Sequence, residues 1–324
     1  MADPPEKLPR YADLPFVPGN PPKTAWGLFG PDDEIGMFHL QTPERIAAAA
    51  RLVRRGALFP MNWDQSLPDP PLFGRKAMIH TVSRNVPVGY HGDDHLDHFY
   101  TQASSQWDAL GHVGDFEHGF WGGVTYETLA ASPGRLGIDH WARRGIAGRA
   151  VLLDVARQRE AQGRAIDCSA ADPIRVEDLE ATLRAQGVAL ETGDVVLIRT
   201  GWIGWYERQD RATREQLAKI ESLRLPGLEC SEAMAEYLFD QHPCALCSDT
   251  PALEVWPPPG IGEPEGFLHH WILGRFGMAI GEMFVLDALA ESCARDGVYE
   301  SFFVSAPLHV RGGTGSPPNA IAIK

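Results

Sequence analysis

The chain has 324 residues, of which 44% are apolar, and its formal charge is −14. Length and composition exclude a disordered chain and allow one large domain or two ordinary ones, with ample core. The acidic balance argues against nucleic acid and anionic membrane, since affinity for both rests on basic contacts, and no apolar run approaches membrane-spanning length.

Residues 1–23 are rich in proline and charge. They predict an extended arm lying over the surface or over a neighbouring subunit. They lack the apolar core of a secretory signal, so none is expected. Residues 24–324 show no internal repeat and no linker, and read as one α/β domain. TPERIAAAARLVRRG predicts a helix with Thr42 as N-cap, Pro43 in the first turn and Gly56 as terminator. Ile46, Ala49, Leu52 and Val53 would form its apolar face. Strands are expected at 57–63 and 77–85. From Pro87 to Gly123 the chain is rich in Gly, His and Asp and has neither helical nor strand periodicity. An irregular stretch that long inside a compact domain is usually functional.

Beyond it the pattern is regular. AVLLDV (150–155) and DVVLIRTGW (194–202) read as strands buried on both faces. VEDLEATLRAQG predicts a helix on Val176, Leu179 and Leu183, stopped by Gly187. SEAMAEYLFDQ predicts another, capped by Ser231, followed by a short strand CALCSD (244–249). The C-terminal FFVSAPLHVRGGTGSPPNAIAIK reads as a pair of strands joined by a Gly/Pro loop.

Five cysteines, Cys168, Cys230, Cys244, Cys247 and Cys293, are too few and of the wrong parity for a disulfide framework. They predict a reducing, cytoplasmic setting. Cys244-x-x-Cys247 lies inside an apolar strand, which favours buried inert thiols over a redox or zinc pair. His91, His95 and His98 alternate with aspartates, and a solvated charged loop is the simpler reading. No GxGxxG, GxxxxGK[ST] or GxSxG is present, so no nucleotide cofactor and no common serine-hydrolase elbow is expected. Ser104 and Ser105 carry no mark of a nucleophile. Two groups remain. In SSQWDALGHV, Asp108 stands four residues before His112, a spacing at which a carboxylate can orient an imidazole. In LHHWILGRFGMAIGEMF, a tandem His269–His270 and Glu282 sit in apolar surroundings, where charge is costly unless paired or functional.

Taken in order, TPERIAAAARLVRRG, the DD at 93–94, QWDALGH, VLLDV, GDVVLIRTGW, LPGL, SDTPALE, the HH…E pair and SAPLHVRGGTGSPPNAIAI resemble the cyclase family, which includes bacterial arylformamidase (kynurenine formamidase) and isatin hydrolase. The resemblance runs from about Trp26 to the C-terminus. It implies a single α/β domain (24–324) of swivelling β/β/α-like kind, with a curved, barrel-like β-sheet flanked by helices, assembled as a homodimer or homotetramer. The family motif H-x-G-T-H-x-D-x-P-x-H places its metal-binding aspartate on Asp108 and its catalytic histidine on His112. Its two metal histidines fall on Gln102 and Gln106, its Gly-Thr on Ser104–Ser105 and its proline on Leu110. A later His and Glu of the family match His270 and Glu282 by their separation.

The resemblance therefore implies a catalytic set of Asp108, His112, His270 and Glu282, with Gln102, Gln106 and Asp108 as the metal ligands. Amide oxygens are hard, neutral donors, so such a set, if it holds an ion, leans to manganese, magnesium or calcium over zinc; if it holds none, the two amides would donate hydrogen bonds to a developing oxyanion. Trp107 would stack on a planar substrate, and His80 would make a further contact. The expected function is hydrolysis of a non-peptide amide, lactone or aryl formamide bond in a small cyclic or aromatic substrate, with His112 as general base. Two alternatives use the same residues: a lyase, isomerase or cyclase working by proton transfer, and a binder that has lost its metal and its activity. The expected partner is a small-molecule substrate.

Overall fold

A computed structural model describes residues 5, 7–84, 89–131, 134–260, 262, 263 and 266–324. Residues 1–4 and 6 of the arm, and 85, 87 and 88 of the second strand and the Gly-rich stretch, lie outside the described residues. In chain order the strands are β1 (Leu58–Pro60), β2 (Ile79–Ser83), β3 (Asp93–Asp97), β4 (Gln106–Asp108), β5 (Ile146–Leu153), β6 (Pro173–Ile174), β7 (Val195–Ile198), β8 (Gly227–Leu228), β9 (Ala245–Ser248), β10 (Ala279–Glu282), β11 (Glu300–Ser305), β12 (Gly315–Ser316) and β13 (Ala320–Ile323).

The continuous apolar runs become the middle of a nine-stranded sheet of order β1-β13-β11-β5-β7-β9-β10-β4-β12. β5, β7, β9 and β10 pair in parallel, and β7, β9 and β10 are buried along their whole length. Burial on both faces is why these segments read as unbroken hydrophobic stretches. The outer strands pair antiparallel. The sheet curls into a half-barrel flanked by helices. The C-terminal strands pair as expected, Phe302 opposite Ile323, and the loop between them detours to lay β12 against β4.

Several boundaries differ from the sequence reading. The helix Pro43–Ala50 is capped by Thr42, whose hydroxyl accepts the Arg45 N–H, but it stops well short of Gly56. The chain turns there because the Arg55 and Ala57 amides bond to the Lys324 carbonyl and the Arg55 guanidinium bonds to Ser292 and Asp296. Tertiary contacts thus override a favourable helical pattern. β5 ends at Leu153. Asp154 then caps the next helix, so Val155 is helical. The stretch from 89 to 123 is not structureless: it holds β3, which forms an exposed hairpin with β2, and β4, which is fully buried.

The described part of the arm packs on the chain's own body. Tyr11 is 2% exposed, its ring near Trp271 and Phe276 and its hydroxyl donating to Glu232 at 2.7 Å. Arg10 pairs with Asp240 of the same helix, Glu232–Asp240. None of the described helices is long and apolar enough to cross a membrane.

Candidate active site

β4 and β10 form the floor of the site. Their antiparallel register sets Gln106 opposite Glu282 and Asp108 opposite Ile280. Side chains alternate along a strand, so Gln106, Asp108 and Glu282 share one face while Trp107 points to the other. The Gln106 amide donates to Glu282 at 2.5 Å and to Asp108 at 3.3 Å. Gly281 lets β10 lie close to its neighbours: a Cβ there would stand 2.8 Å from the Cys247 sulfur and 2.7 Å from the Phe284 ring.

Trp107 is a core residue, not a substrate platform. It is fully buried, donates to Ser305 at 2.9 Å and packs edge-on against Phe38, Trp141, Phe284 and Phe303. The alternation that aims Asp108 into the site turns its neighbour away.

The imidazole that meets the carboxylates is His269, not His270. His269 Nε2 lies 3.3 Å from Glu282 and 3.8 Å from Asp108, and its Nδ1 lies 2.8 Å from Glu254. Glu254 is itself fully buried, and Phe267 stacks on the His269 ring with centroids 4.5 Å apart. His270 donates its Nδ1–H to the Gly114 carbonyl at 2.7 Å and faces Phe116 and Phe267. It opens a π-helical turn, His270–Arg275, a distortion often found at functional sites. Gly274 on this turn permits close approach to the 114–115 backbone, since a Cβ would stand 2.3 Å from the Asp115 nitrogen. Arg275 then pairs with Asp115 at 2.6 Å. His270 and this turn therefore brace the loop that follows His112.

His112 Nε2 lies 3.5 Å from Asp108 Oδ1. His112, His269, Glu282 and Arg75 line a cavity of about 180 Å³ whose walls include Phe73, Trp256 and Phe267. The residues just beside the two buried glutamates, Leu253 and Met283, have φ of +50° and +52°. Non-glycine residues in this region store strain, typically of order 1–3 kcal/mol each, and cluster at functional sites.

Other expected contributors lie elsewhere. The Gln102 amide is satisfied outside this group, accepting from Thr101 and donating to Thr314, so it is not placed as a ligand. His80 sits on the exposed β2–β3 hairpin, paired with Asp94 at 2.8 Å, away from the cavity lining. His91 and His95 are exposed with it. Ser104 donates to the Asp64 carbonyl, and Ser105 donates to the Met283 carbonyl while accepting the Trp63 N–H. Cys244 and Cys247 are buried and unbonded to each other, and burial pushes both thiols well up.

Charge in the site is set by burial and crowding. Burial raises the Glu282 carboxyl to about 8, helped by the nearby Asp108 charge and opposed by His269. Burial works the same way on Asp108, but His112, His269 and Arg75 outweigh it and hold this carboxyl below its ordinary value. Burial would lower His269, yet Glu254, Asp108 and Glu282 together raise it well above the usual imidazole value. His112 is pushed down by burial, with His269 and Arg75 adding to the effect against Asp108. The neutral imidazole is therefore favoured.

Residues 43–255 match the family model described as "Putative cyclase". The chain belongs to the cyclase family. It is similar to a crystal structure of a novel cyclase, at 30% identity and a TM-score of 0.80, over 93% of this chain and 97% of that one. Isatin hydrolase A from Labrenzia aggregata bound to benzyl benzoate shares 16% identity at a TM-score of 0.56, over 85% of this chain and 94% of that one. Isatin hydrolase A from Ralstonia solanacearum shares 18% at 0.56, over 87% and 98%. At such identities these two show a common fold. A comparison with curated proteins returned no match.

Within this cyclase-family fold, Asp108, His269 and Glu282 offer ligand atoms that all lie within 4.8 Å of one another. Asp108 Oδ2 and Gln106 Oε1 are buried without a hydrogen-bond partner. Buried acceptors are rarely left bare, and a cation among Asp108, His269 and Glu282 would relieve the repulsion between the two carboxylates. Glu254 on the far nitrogen of His269 is the usual support of a ligating imidazole. The residues fit a divalent ion.

Proposed function

We propose that the chain hydrolyses a non-peptide amide, lactone or aryl formamide bond in a small cyclic or aromatic substrate. The observation that carries this reading is a neutral His112 beside Asp108 at the edge of a small, mainly apolar cavity. His112 takes a proton from the attacking water at Nε2, and Asp108 steadies the imidazolium so formed. The same nitrogen then returns the proton to the leaving amine or alkoxide. Phe73, Trp256 and Phe267 exclude bulk water and clasp a flat ring. Glu254 holds His269 in place, and Gln106 orients Glu282.

Asp108, His269 and Glu282 are the residues that would hold a divalent ion. Its chemistry when bound is polarisation of the acyl oxygen and a lowered pKa of water. One imidazole among oxygen donors favours manganese, magnesium or calcium over zinc.

Isatin and an aryl formamide are suitable probe substrates. Turnover with solvent oxygen-18 entering the product supports hydrolysis, and His112→Ala should reduce kcat by about 10²–10⁴. Product without solvent oxygen would mark proton-transfer chemistry instead. Turnover left within a few-fold of wild type in both His112→Ala and Asp108→Asn would end this reading.

A further inference from the structure

Arg75 is a cation of this cavity that no hydrogen-bond acceptor or carboxylate among the described residues claims. It stands on the turn after Leu72, its amide bonded to the Leu72 carbonyl, and lines the cavity with Phe73, Trp256 and His112. Its guanidinium carbon lies 5.3 Å from the Phe73 ring centroid. Among the described residues, its guanidinium makes no hydrogen bond and no ion pair within 4.0 Å. Other half-buried or buried arginines here are engaged: Arg149 with Asp194, Arg159 with Asp172, Arg199 with Asp154 and Asp287, and Arg275 with Asp115. Asp108 and Glu282 act on Arg75 only through space. Among the described residues, no Arg75 nitrogen is a sealed, unpartnered atom, so its donors remain open to a ligand.

A guanidinium presents a planar fork that matches a carboxylate in two parallel hydrogen bonds. A cavity of about 150 Å³ holds benzene, so about 180 Å³ holds one ring and a small substituent. We propose that Arg75 is the specificity-determining residue of this site, selecting a single-ring planar substrate that carries a carboxylate away from the bond to be cleaved. The separation follows from distance, since Arg75 lies beyond ion-pair reach of the Asp108–Glu282 floor, where the reacting group must sit. This inference rests on the proposed hydrolytic reading for the word substrate, whereas the charge preference of the cavity does not.

The test is calorimetric titration of the full chain with benzoate and with benzamide, which match in size and differ in charge. Wild type should bind benzoate more tightly than benzamide by about tenfold or more. Arg75→Gln should lose that preference while benzamide affinity stays within about twofold, and Arg75→Lys should keep part of it. Equal binding of both probes by wild type, or binding of neither at millimolar concentration, overturns the proposal. So does a benzoate preference that survives in Arg75→Gln, because the anion would then be held by another group. Arg75→Gln weakening both probes alike would reveal a packing role and overturn it too. No turnover enters these titrations. A charge preference found alongside failed hydrolysis strikes the reaction, and hydrolysis without charge preference strikes the role of Arg75.

Discussion

Replacing His269 with glutamine separates the two tandem imidazoles by energy. His269 lies 2.8 Å from Glu254, 3.3 Å from Glu282 and 3.8 Å from Asp108, all buried. Removing the cation leaves buried carboxylates without their partner, which typically costs about 3–5 kcal/mol. Against a usual total of about 5–15 kcal/mol that is a large share. With a urea slope of about 3 kcal/mol per molar, the unfolding midpoint should fall by about 1–1.7 M. His270→Gln forfeits mainly the hydrogen bond to Gly114, so it should cost about 1 kcal/mol and move the midpoint by about 0.3 M. The assay is equilibrium urea unfolding by tryptophan fluorescence, in chelator, at pH 6. The pH dependence gives a second readout. The His269 pKa is raised in the folded state, so its contribution is complete below about 6.5 and is lost as pH rises through the higher folded value. Wild type should therefore lose stability above about pH 6.5 more steeply than His269→Gln. Equal costs for the two variants, or a larger cost at His270, would refute the placement of His269 among the carboxylates.

Three further outcomes are expected. Ser105→Ala should lower stability by about 1–3 kcal/mol, because its hydroxyl bridges the Trp63 amide and the Met283 carbonyl, yet leave kcat of the folded enzyme within a few-fold; loss of all activity with full stability would make it a nucleophile. Gly274→Ala should destabilise the fold by about 2 kcal/mol or more and reduce turnover by displacing the 114–115 backbone, and a melting temperature equal to wild type would contradict the close approach. Asp249 accepts from Thr200 and Gly201 and is raised by burial to about 6. Its contribution is full below about pH 3.8 and lost as pH rises through about 6, so Asp249→Ala should lose about 3 kcal/mol or more at pH 4 and show a flatter stability profile from pH 4 to 6.

The central strands were legible because β7, β9 and the second half of β5 are buried on both faces and so are written as near-continuous apolar runs. Asp108, His112 and Glu282 were reached through the motif order, and they meet as that order implies. The tandem histidines could not be resolved in the same way. One residue along a helical turn rotates a side chain by about 100°, and only coordinates decide which ring faces inward. Trp107 was misread because β4 has three residues, too few for alternation to be seen among irregular neighbours. Glu254 was passed over inside SDTPALE, although an acid set among apolar residues is costly to bury and signals a partner. Arg75 sits on a turn without periodicity, and what marks it is the lack of a hydrogen-bond or ion-pair partner among the described residues.

The floor of the cavity belongs to the main sheet, whereas Phe73, Arg75, Trp256 and Phe267 are carried by turns and loops outside its strands. On the proposed reading, the carboxylate floor and the walls that would select a substrate sit on parts of the chain with different tolerance for change. Single exchanges on the rim would leave the Asp108 and Glu282 strands in place, and an engineer seeking a new substrate should begin at positions 73, 75 and 256.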